Sequence, residues 1–348
     1  LEHSKKKLVP FFMKPEIGVL LMNVGTPDSP SVSDVRKYLS EFLNDPRVID
    51  IPWLARKILV NAIIVPFRAP KSAKIYQKMW TDEGSPLLIH SENFKKGLQA
   101  DLGEKYQVEI AMRYQSPSVA ESLEKIRKNN PKKIIVVPMY PQYASSSTGT
   151  CIEEVMRISS KWWAIPEMVF VNQFYDLQGY IDGFVKRGKQ FDIDSYDHII
   201  FSYHGLPVRQ LDKVYDEGLC DDRNCEHGVE GDNQFCYKAT CYESTKLIAA
   251  GLGLSADRYT VSFQSRLDDK WIKPYSDKVV EQKAKEGAKR LLIFSPAFVA
   301  DCLETLIEIG HEYDEIFKEH GGEKVDLVPS LNGDSDWVKS MSNYIRTK

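Results

Sequence analysis

DHIIFSYHGLP, Asp197 to Pro207, is the stretch on which the fold turns. Ile199, Ile200 and Phe201 form a short apolar run that leads straight into Ser202, Tyr203, His204, Gly205, Leu206 and Pro207. A run of this length, bounded by breakers, suits a buried strand of a parallel sheet. In open α/β sheets ligands bind beyond the carboxyl ends of such strands. His204 stands at that place, and an imidazole takes or gives a proton near neutral pH. Taken alone, it reads equally well as a structural histidine.

The same pattern occurs 180 residues earlier. VLLMNVGTP (19–27) matches IIFSYHGLP (199–207): apolar strand, polar exit, Gly, one residue, Pro. VEIAMRYQSP (108–117) resembles YTVSFQSR (259–266), and KKIIVVPMYP (132–141) matches KRLLIFSPAF (289–298). In both halves these strands alternate with helical patterns, starting near Ser31 or Ser33, at Leu88, near Ser116, at Cys151 and at Leu177. A further strand is expected over Glu167 to Phe174. The pattern predicts an α/β chain of two similar Rossmann-like domains, each a doubly wound parallel sheet. Right-handed crossovers put the strand exits of each sheet on one edge, and two such edges facing each other make a cleft. The exits carry Val24, Arg113, Tyr114, Tyr143, His204, Gln264, Arg266, Phe298 and Asp301. No G-x-G-x-x-G follows any of the strands, so the domains are expected to bind no nucleotide.

Composition narrows the function. The chain has 348 residues, 27% charged and 43% hydrophobic, which is ordinary for a globular protein with a large core. A formal net charge of -3 gives no global basic field for nucleic acid. The start, LEHSKKK, lacks the apolar core of a signal peptide, so a cytoplasmic protein is expected. No apolar run reaches the length that spans a bilayer. From Pro52 to Trp80 the pattern is helical, with Trp53, Leu54, Ile58, Leu59, Ile63, Ile64 and Phe67 interleaved with Arg56, Lys57, Arg68, Lys71 and Lys74. Such a segment suits peripheral contact with a membrane or a flat apolar ligand; a core helix with a basic edge is the plain alternative.

A second helix carries acid. Asp301, Glu304, Glu308, Glu312 and Glu315 recur at steps of 3, 4, 4 and 3, which puts them on one helical face. Like charges so placed repel by a few tenths of a kcal/mol per pair, so helix stability does not select them. Read functionally, they are hard oxygen donors able to hold or pass on a divalent cation or protons. Gly310 falls within this helix, where distortion or close packing is expected.

Four of the six cysteines cluster: Cys220, Cys225, Cys236 and Cys241, spaced C-x4-C-x10-C-x4-C in a polar loop. A loop of this kind needs a staple, and four thiolates suit a [2Fe–2S] cluster or structural zinc. Cys151 and Cys302 read as isolated thiols.

MNVGTP (22–27), GSPL (84–87), MRY (112–114), YPQYASSSTG (140–149), SYHGLP (202–207), SFQSR (262–266), W-x-x-PY-x-D (271–277) and SPAFVADCLETL (295–306) stand in this order along the chain. On these motifs, from about Gly18 to Asn332, the chain resembles the ferrochelatases, which insert ferrous iron into a porphyrin. The resemblance implies two Rossmann-like domains without nucleotide, over 16–175 and 176–330, with the porphyrin cleft between them. It places an apolar lip at about 52–80, the Cys-rich loop at 220–241 and a C-terminal helix at 331–348. It implies insertion of Fe2+ into protoporphyrin IX to give heme, with release of two protons. Coproporphyrin III as the substrate, or a non-catalytic tetrapyrrole-binding protein, are the alternatives. Carried over, His204 takes the pyrrole protons or first meets the metal, and Glu304 is its acidic partner across the macrocycle. Asp301, Glu308 and Glu312 continue a proton or metal path. Val24, Arg113, Tyr114, Tyr143 and Trp271 line the substrate pocket. Some ferrochelatases hold a [2Fe–2S] cluster, in the animal enzymes mostly through a C-terminal extension. Here no cysteine follows Cys302, and Ser145 or Ser146 stands where those enzymes have their remaining ligand. A cluster is therefore expected to be held by the four internal cysteines, with zinc or no metal as the alternatives.

Overall fold

Unbroken apolar runs need cover on both faces of a sheet, and helices on each side supply it. The computed structural model describes residues 14–348; the leaderless start read from LEHSKKK lies outside them. The strands are β1 (Ile17–Gly25), β2 (Tyr106–Tyr114), β3 (Lys133–Pro138), β4 (Glu167–Phe170), β5 (His198–His204), β6 (Tyr259–Gln264), β7 (Arg290–Phe294) and β8 (Lys324–Leu327). They form two four-stranded sheets, ordered β2-β1-β3-β4 and β6-β5-β7-β8. Every pairing is parallel. The repeat read from sequence is thus a repeat of topology, with β1 and β5 in equivalent inner positions.

The glycine after each of these inner strands has the same cause. At Gly25, with φ +110°, a Cβ would stand 2.0 Å from the Tyr114 carbonyl oxygen of β2. At Gly205 it would stand 2.7 Å from the Gln264 carbonyl oxygen of β6. Only a residue without a side chain lets the chain pass this close to its neighbouring strand. The next turn repeats as well: Met112 N donates to Pro117 O at 2.7 Å, and Phe263 N to Pro274 O at 2.8 Å.

The two sheets share one apolar core. Leu21 of β1 and Phe201 of β5 belong to it, together with Trp337 of the C-terminal helix Ser335–Arg346. Trp337 stacks on Phe94 of the first half at 5.8 Å and meets Tyr180 of the second edge-on at 6.4 Å, so this helix joins elements from both halves.

Several boundaries differ from expectation. The helix expected from Ser116 begins at Val119, where Ser118 and Glu121 form a capping box. β4 stops at Phe170 rather than Phe174. The Ser/Thr-rich segment expected as a turn is a wide, i→i+5 helical turn over Ser145–Gly149 that runs into the helix Thr150–Ser159. The lip is one helical rod in three pieces, Trp53–Ile58, a wide-wound Leu59–Ile64, and Val65–Met79. One apolar side faces outward: Trp53 is 64% exposed, Leu54 61%, Ile58 55%, Ile63 53% and Phe67 73%. Arg56 points inward instead, and its Nη1 donates to the carbonyls of Ile49 and Ile51. The opposite side of the rod carries Val60, Val65, Ala69, Ala73, Tyr76 and Met79 into a core, so the segment is apolar on two sides. Among the described residues no helix is long and apolar enough to cross a membrane.

Candidate functional site

His204 ends β5 and pairs in register with Gln264 of β6. The Phe298 ring meets it edge-on at 6.3 Å between centroids. Trp271 lies beside the same exit. It bridges to Pro207, and its ring stands 3.2 Å from where a Cβ on Gly205 would be.

The acidic helix follows β7, and its winding is not the expected α. From Glu304 to Tyr313 it is wide-wound, with Gly310 inside the distorted stretch. Asp301 precedes the helix, and its carboxylate is already engaged. It accepts from Thr305 Oγ1 at 3.2 Å, Ser330 N at 3.2 Å and Asn332 Nδ2 at 2.7 Å. Asp301 thus ties the start of the helix to the segment at Ser330 and Asn332. Glu308 is tied to the exit of β6: it accepts from Gln264 Nε2 at 3.1 Å, Ser265 N at 2.8 Å, Ser265 Oγ at 2.5 Å and Tyr313 Oη at 3.1 Å. Gln264 Nε2 also donates to the Glu304 carbonyl at 3.2 Å. Burial, and then the charge of Glu308, raise the Glu312 carboxyl above its usual range.

Glu304 borders a cavity of about 60 Å³ lined by Val24, Tyr38, Tyr76, Phe298 and Cys302 among others. Burial pushes the Tyr38 and Tyr76 phenols up, aided by the charge of Glu304 at Tyr38 and by Tyr38 and then Glu304 at Tyr76. They stay neutral hydroxyls beside the carboxylate. Neither was singled out from sequence, because each sits at a spacing that reads only as helix core. Cys302 is buried there, its thiol pushed up by burial and by Glu304, which makes it an inert thiol. Cys151 is likewise pushed up to about 12 by burial.

The structure does not gather all expected pocket residues in one place. Arg113 is bound to Asp45: its Nη2 is 2.7 Å from Asp45 Oδ2, and its Nε donates to Thr150 Oγ1 at 2.7 Å. Asp45 Oδ2 also accepts from Tyr114 Oη at 2.9 Å and Thr150 Oγ1 at 2.6 Å. Arg113 and Tyr114 thus form a closed polar knot behind the lip, around an aspartate that no motif had flagged. Tyr143 faces a wider opening of about 510 Å³ with Arg47, Asp50, Lys213 and Phe235. Across this opening Asp50 pairs with Arg209 and, at 2.7 Å, with Lys213.

Of the clustered cysteines, three come together. Cys220, Cys225 and Cys236 are buried, with their sulfurs within 4.8 Å of one another. Cys241 is not among them. Cys236 caps the helix Tyr237–Leu252, and five residues further on Cys241 is turned about 140° around the axis. Tyr215 Oη, unflagged in the sequence, lies 3.7 Å from Cys225 Sγ. Among the described residues this triad is the one set of three His, Cys, Asp or Glu side chains close enough to hold an ion; the acidic helix does not gather three.

Comparison with known proteins agrees with this architecture. The family model described as Ferrochelatase matches residues 16–348. A ferrochelatase of Coxiella burnetii (strain CbuK_Q154) is 42% identical over 335 residues, 95% of this chain and 93% of the relative. One of Legionella pneumophila (strain Paris) is 40% identical over 329 residues, 94% of this chain and 98% of the relative. Among solved structures, SirB from Bacillus subtilis with Fe3+ aligns with a TM-score of 0.53 at 12% identity, over 95% of this chain and 94% of that one. The sirohydrochlorin chelatase SirB from Bacillus subtilis subspecies spizizenii, in complex with cobalt, gives 0.52 at 10% over the same shares. These structural likenesses concern the fold; the match along nearly the whole sequence decides the family, and the chain belongs to the ferrochelatases, enzymes that insert iron into a porphyrin to make heme.

Proposed function

We propose that the chain inserts Fe2+ into protoporphyrin IX, held as a flat disc in the cleft beneath the lip. His204 accepts the pyrrole protons, and Glu304 serves the opposite face. The macrocycle loses two N–H protons as the iron takes their place, so the site needs an acceptor on the disc. The imidazole at the β5 exit meets that need. A carboxylate suits a hard divalent ion while releasing it readily. Glu308 and Glu312 extend from Glu304 along the wide helix as a route for protons or iron. Trp271 and Val24 form parts of the walls, and Arg113 and Tyr114 hold the lip side in shape through Asp45.

The observation that carries this reading is Gln264, the register partner of His204, which donates to both the Glu304 carbonyl and the Glu308 carboxylate. It couples the histidine strand to the acidic helix through one side chain. Replacing His204 with Ala should lower kcat by about 10²–10⁴-fold while porphyrin binding, followed by fluorescence quenching, persists. Unchanged iron insertion would leave a non-catalytic tetrapyrrole-binding protein as the better reading.

The apolar lip favours protoporphyrin over the more polar coproporphyrin III. Competition between the two porphyrins tests this, and a higher kcat/KM for coproporphyrin would reverse it. The outward Trp53–Phe67 face, flanked by Lys57, Arg68, Lys71 and Lys74, fits an anionic membrane surface in a cytoplasmic protein. Co-sedimentation with anionic vesicles, weakened by Phe67→Asp, is the expected result.

A further inference from the structure

The lip is held unequally along its length. Its last piece, Val65–Met79, buries Val65, Ala69, Ala73, Tyr76 and Met79 in a core shared with Ile307 of the acidic helix. In the first two pieces, Trp53–Ile58 and Leu59–Ile64, the buried residues are Arg56 and Val60. A helical end with so few buried apolar contacts opens before the rest of a fold does. Packing gives this end little to rest on, so its place depends on the segment that leads into it.

That segment, residues 48–51, is clasped from two sides. From the lip, Arg56 Nη1 donates to Ile49 O at 3.3 Å and to Ile51 O at 2.8 Å. From the second half, the helix Val208–Asp212 and the Lys213 that caps it reach across. Gln210 Nε2 donates to Val48 O at 3.2 Å. Arg209 Nε lies 3.1 and 3.3 Å from the two Asp50 carboxylate oxygens, and Lys213 Nζ donates to Asp50 Oδ2 at 2.7 Å. This helix starts directly beyond the β5 exit. Leu206 O accepts from Ile272 N and Val208 N donates to Lys270 O, both at 2.9 Å, on either side of Trp271. The Asp50 side chain is 11% exposed, while those of Arg209 and Lys213 are 54% and 63% exposed. Burial works against the Asp50 charge, but the Arg209 and Lys213 contacts outweigh it and hold the carboxyl well below the usual carboxylate range. A nearly hidden carboxylate of this kind is costly to leave unpaired.

We infer that Asp50, Arg209 and Lys213 form a latch by which the half carrying His204 holds the thinly packed end of the lip, and that Asp50 is thereby a positioning residue for the porphyrin. The contact is directional and made at one point. It fixes where the lip starts relative to the β5 exit, and it can part without exposing a core. The use for porphyrin rests on the function proposed above; the latch itself does not.

Hydrogen–deuterium exchange read by mass spectrometry, on the full chain without porphyrin, tests the latch. In Asp50→Asn, and separately in Arg209→Gln with Lys213→Gln, amides of residues 52–64 should exchange about tenfold faster, with 65–79 and both sheets unchanged. Combining all three substitutions should add nothing further, because each removes the same contact. Lip exchange that stays the same, that rises across the whole protein, or that rises additively in the combined variant would overturn the latch. Arg209 and Lys213 are exposed, so their variant keeps the test open even if Asp50→Asn folds poorly. Kinetics then test its use: KM for protoporphyrin should rise about threefold to tenfold, with kcat within about twofold. Faster lip exchange with an unchanged KM refutes the positioning role and leaves the latch standing. Absence of iron insertion by the unaltered protein would instead overturn the proposed activity, and the exchange result would be untouched.

Discussion

Asp45 shows what a buried charge asks of its neighbours. Its carboxylate is nearly hidden and takes hydrogen bonds from Arg113, Tyr114, Thr150 and the Arg47 backbone N–H. Burial, and then the Asp45 charge, push the Tyr114 phenol up, so it remains a donor. Removing the carboxylate leaves the Arg113 guanidinium half-buried and unpaired. Asp45→Ala should therefore cost about 3–5 kcal/mol in denaturant unfolding. His198 makes a different prediction. It is buried, hydrogen-bonded to Thr260 Oγ1 at 2.8 Å, and shifted from 6.5 to about 4 by burial and then by Lys283, with Arg258 acting the same way and Glu286 and Asp257 opposing. The unfolded chain takes up this proton first as pH falls. The stability His198 contributes is thus fully present above about 6.5 and is lost toward about 4. His198→Gln should flatten the fall of Tm between those values; an unchanged slope would count against the assignment. In sequence, His204 could be found because a strand exit has a known use. Asp45 and His198 could not, because their roles come from partners far along the chain.

At the scale of elements, the repeat was legible because it is written in strands and glycines. β1 and β5 end alike, and each following glycine lets the chain close on the neighbouring strand's carbonyl. Gly25→Ala and Gly205→Ala should each destabilise the fold by on the order of 3 kcal/mol, through a blocked approach and, at Gly25, a positive φ. Thermal melts of the two variants check this, and unshifted melting at either would refute the close approach there. The acidic helix was legible as a row of carboxylates, but its winding was not. Spacings of three and four residues read as α-helix, while the chain leaves Asp301 outside and winds widely from Glu304. The lip was legible as a helix with an apolar face. Its outward turn was not, since no pattern shows that Arg56 finds backbone carbonyls inside.

Across the whole molecule, the halves are joined more firmly than a hinge would be. Trp337 sits where both meet, with Phe94 and Phe174 of the first half on one side and Tyr180 of the second on the other. Its indole nitrogen has no hydrogen-bond partner, so its contribution is packing alone. Trp337→Ala should cost about 3–5 kcal/mol, whereas Trp337→Phe should cost less than half of that. Equal losses in chemical denaturation would mean that ring size is not what matters. The shared core was not legible, because hydrophobic periodicity reports which face is buried and not against what. The cysteine site was half legible: spacing named four thiols, and only the path of the helix Tyr237–Leu252 tells which three converge.

The matched ends of β1 and β5 carry a last consequence. Val24 and His204 occupy the same slot of two copies of one fold, each followed by its glycine. One copy has kept a titratable ring there and the other has an inert alkyl group. On the proposed reading, a symmetric scaffold offers its substrate a reactive surface and a blank one. Both reacting groups, His204 and Glu304, then come from the same half, and the twin half becomes the anvil against which the other works.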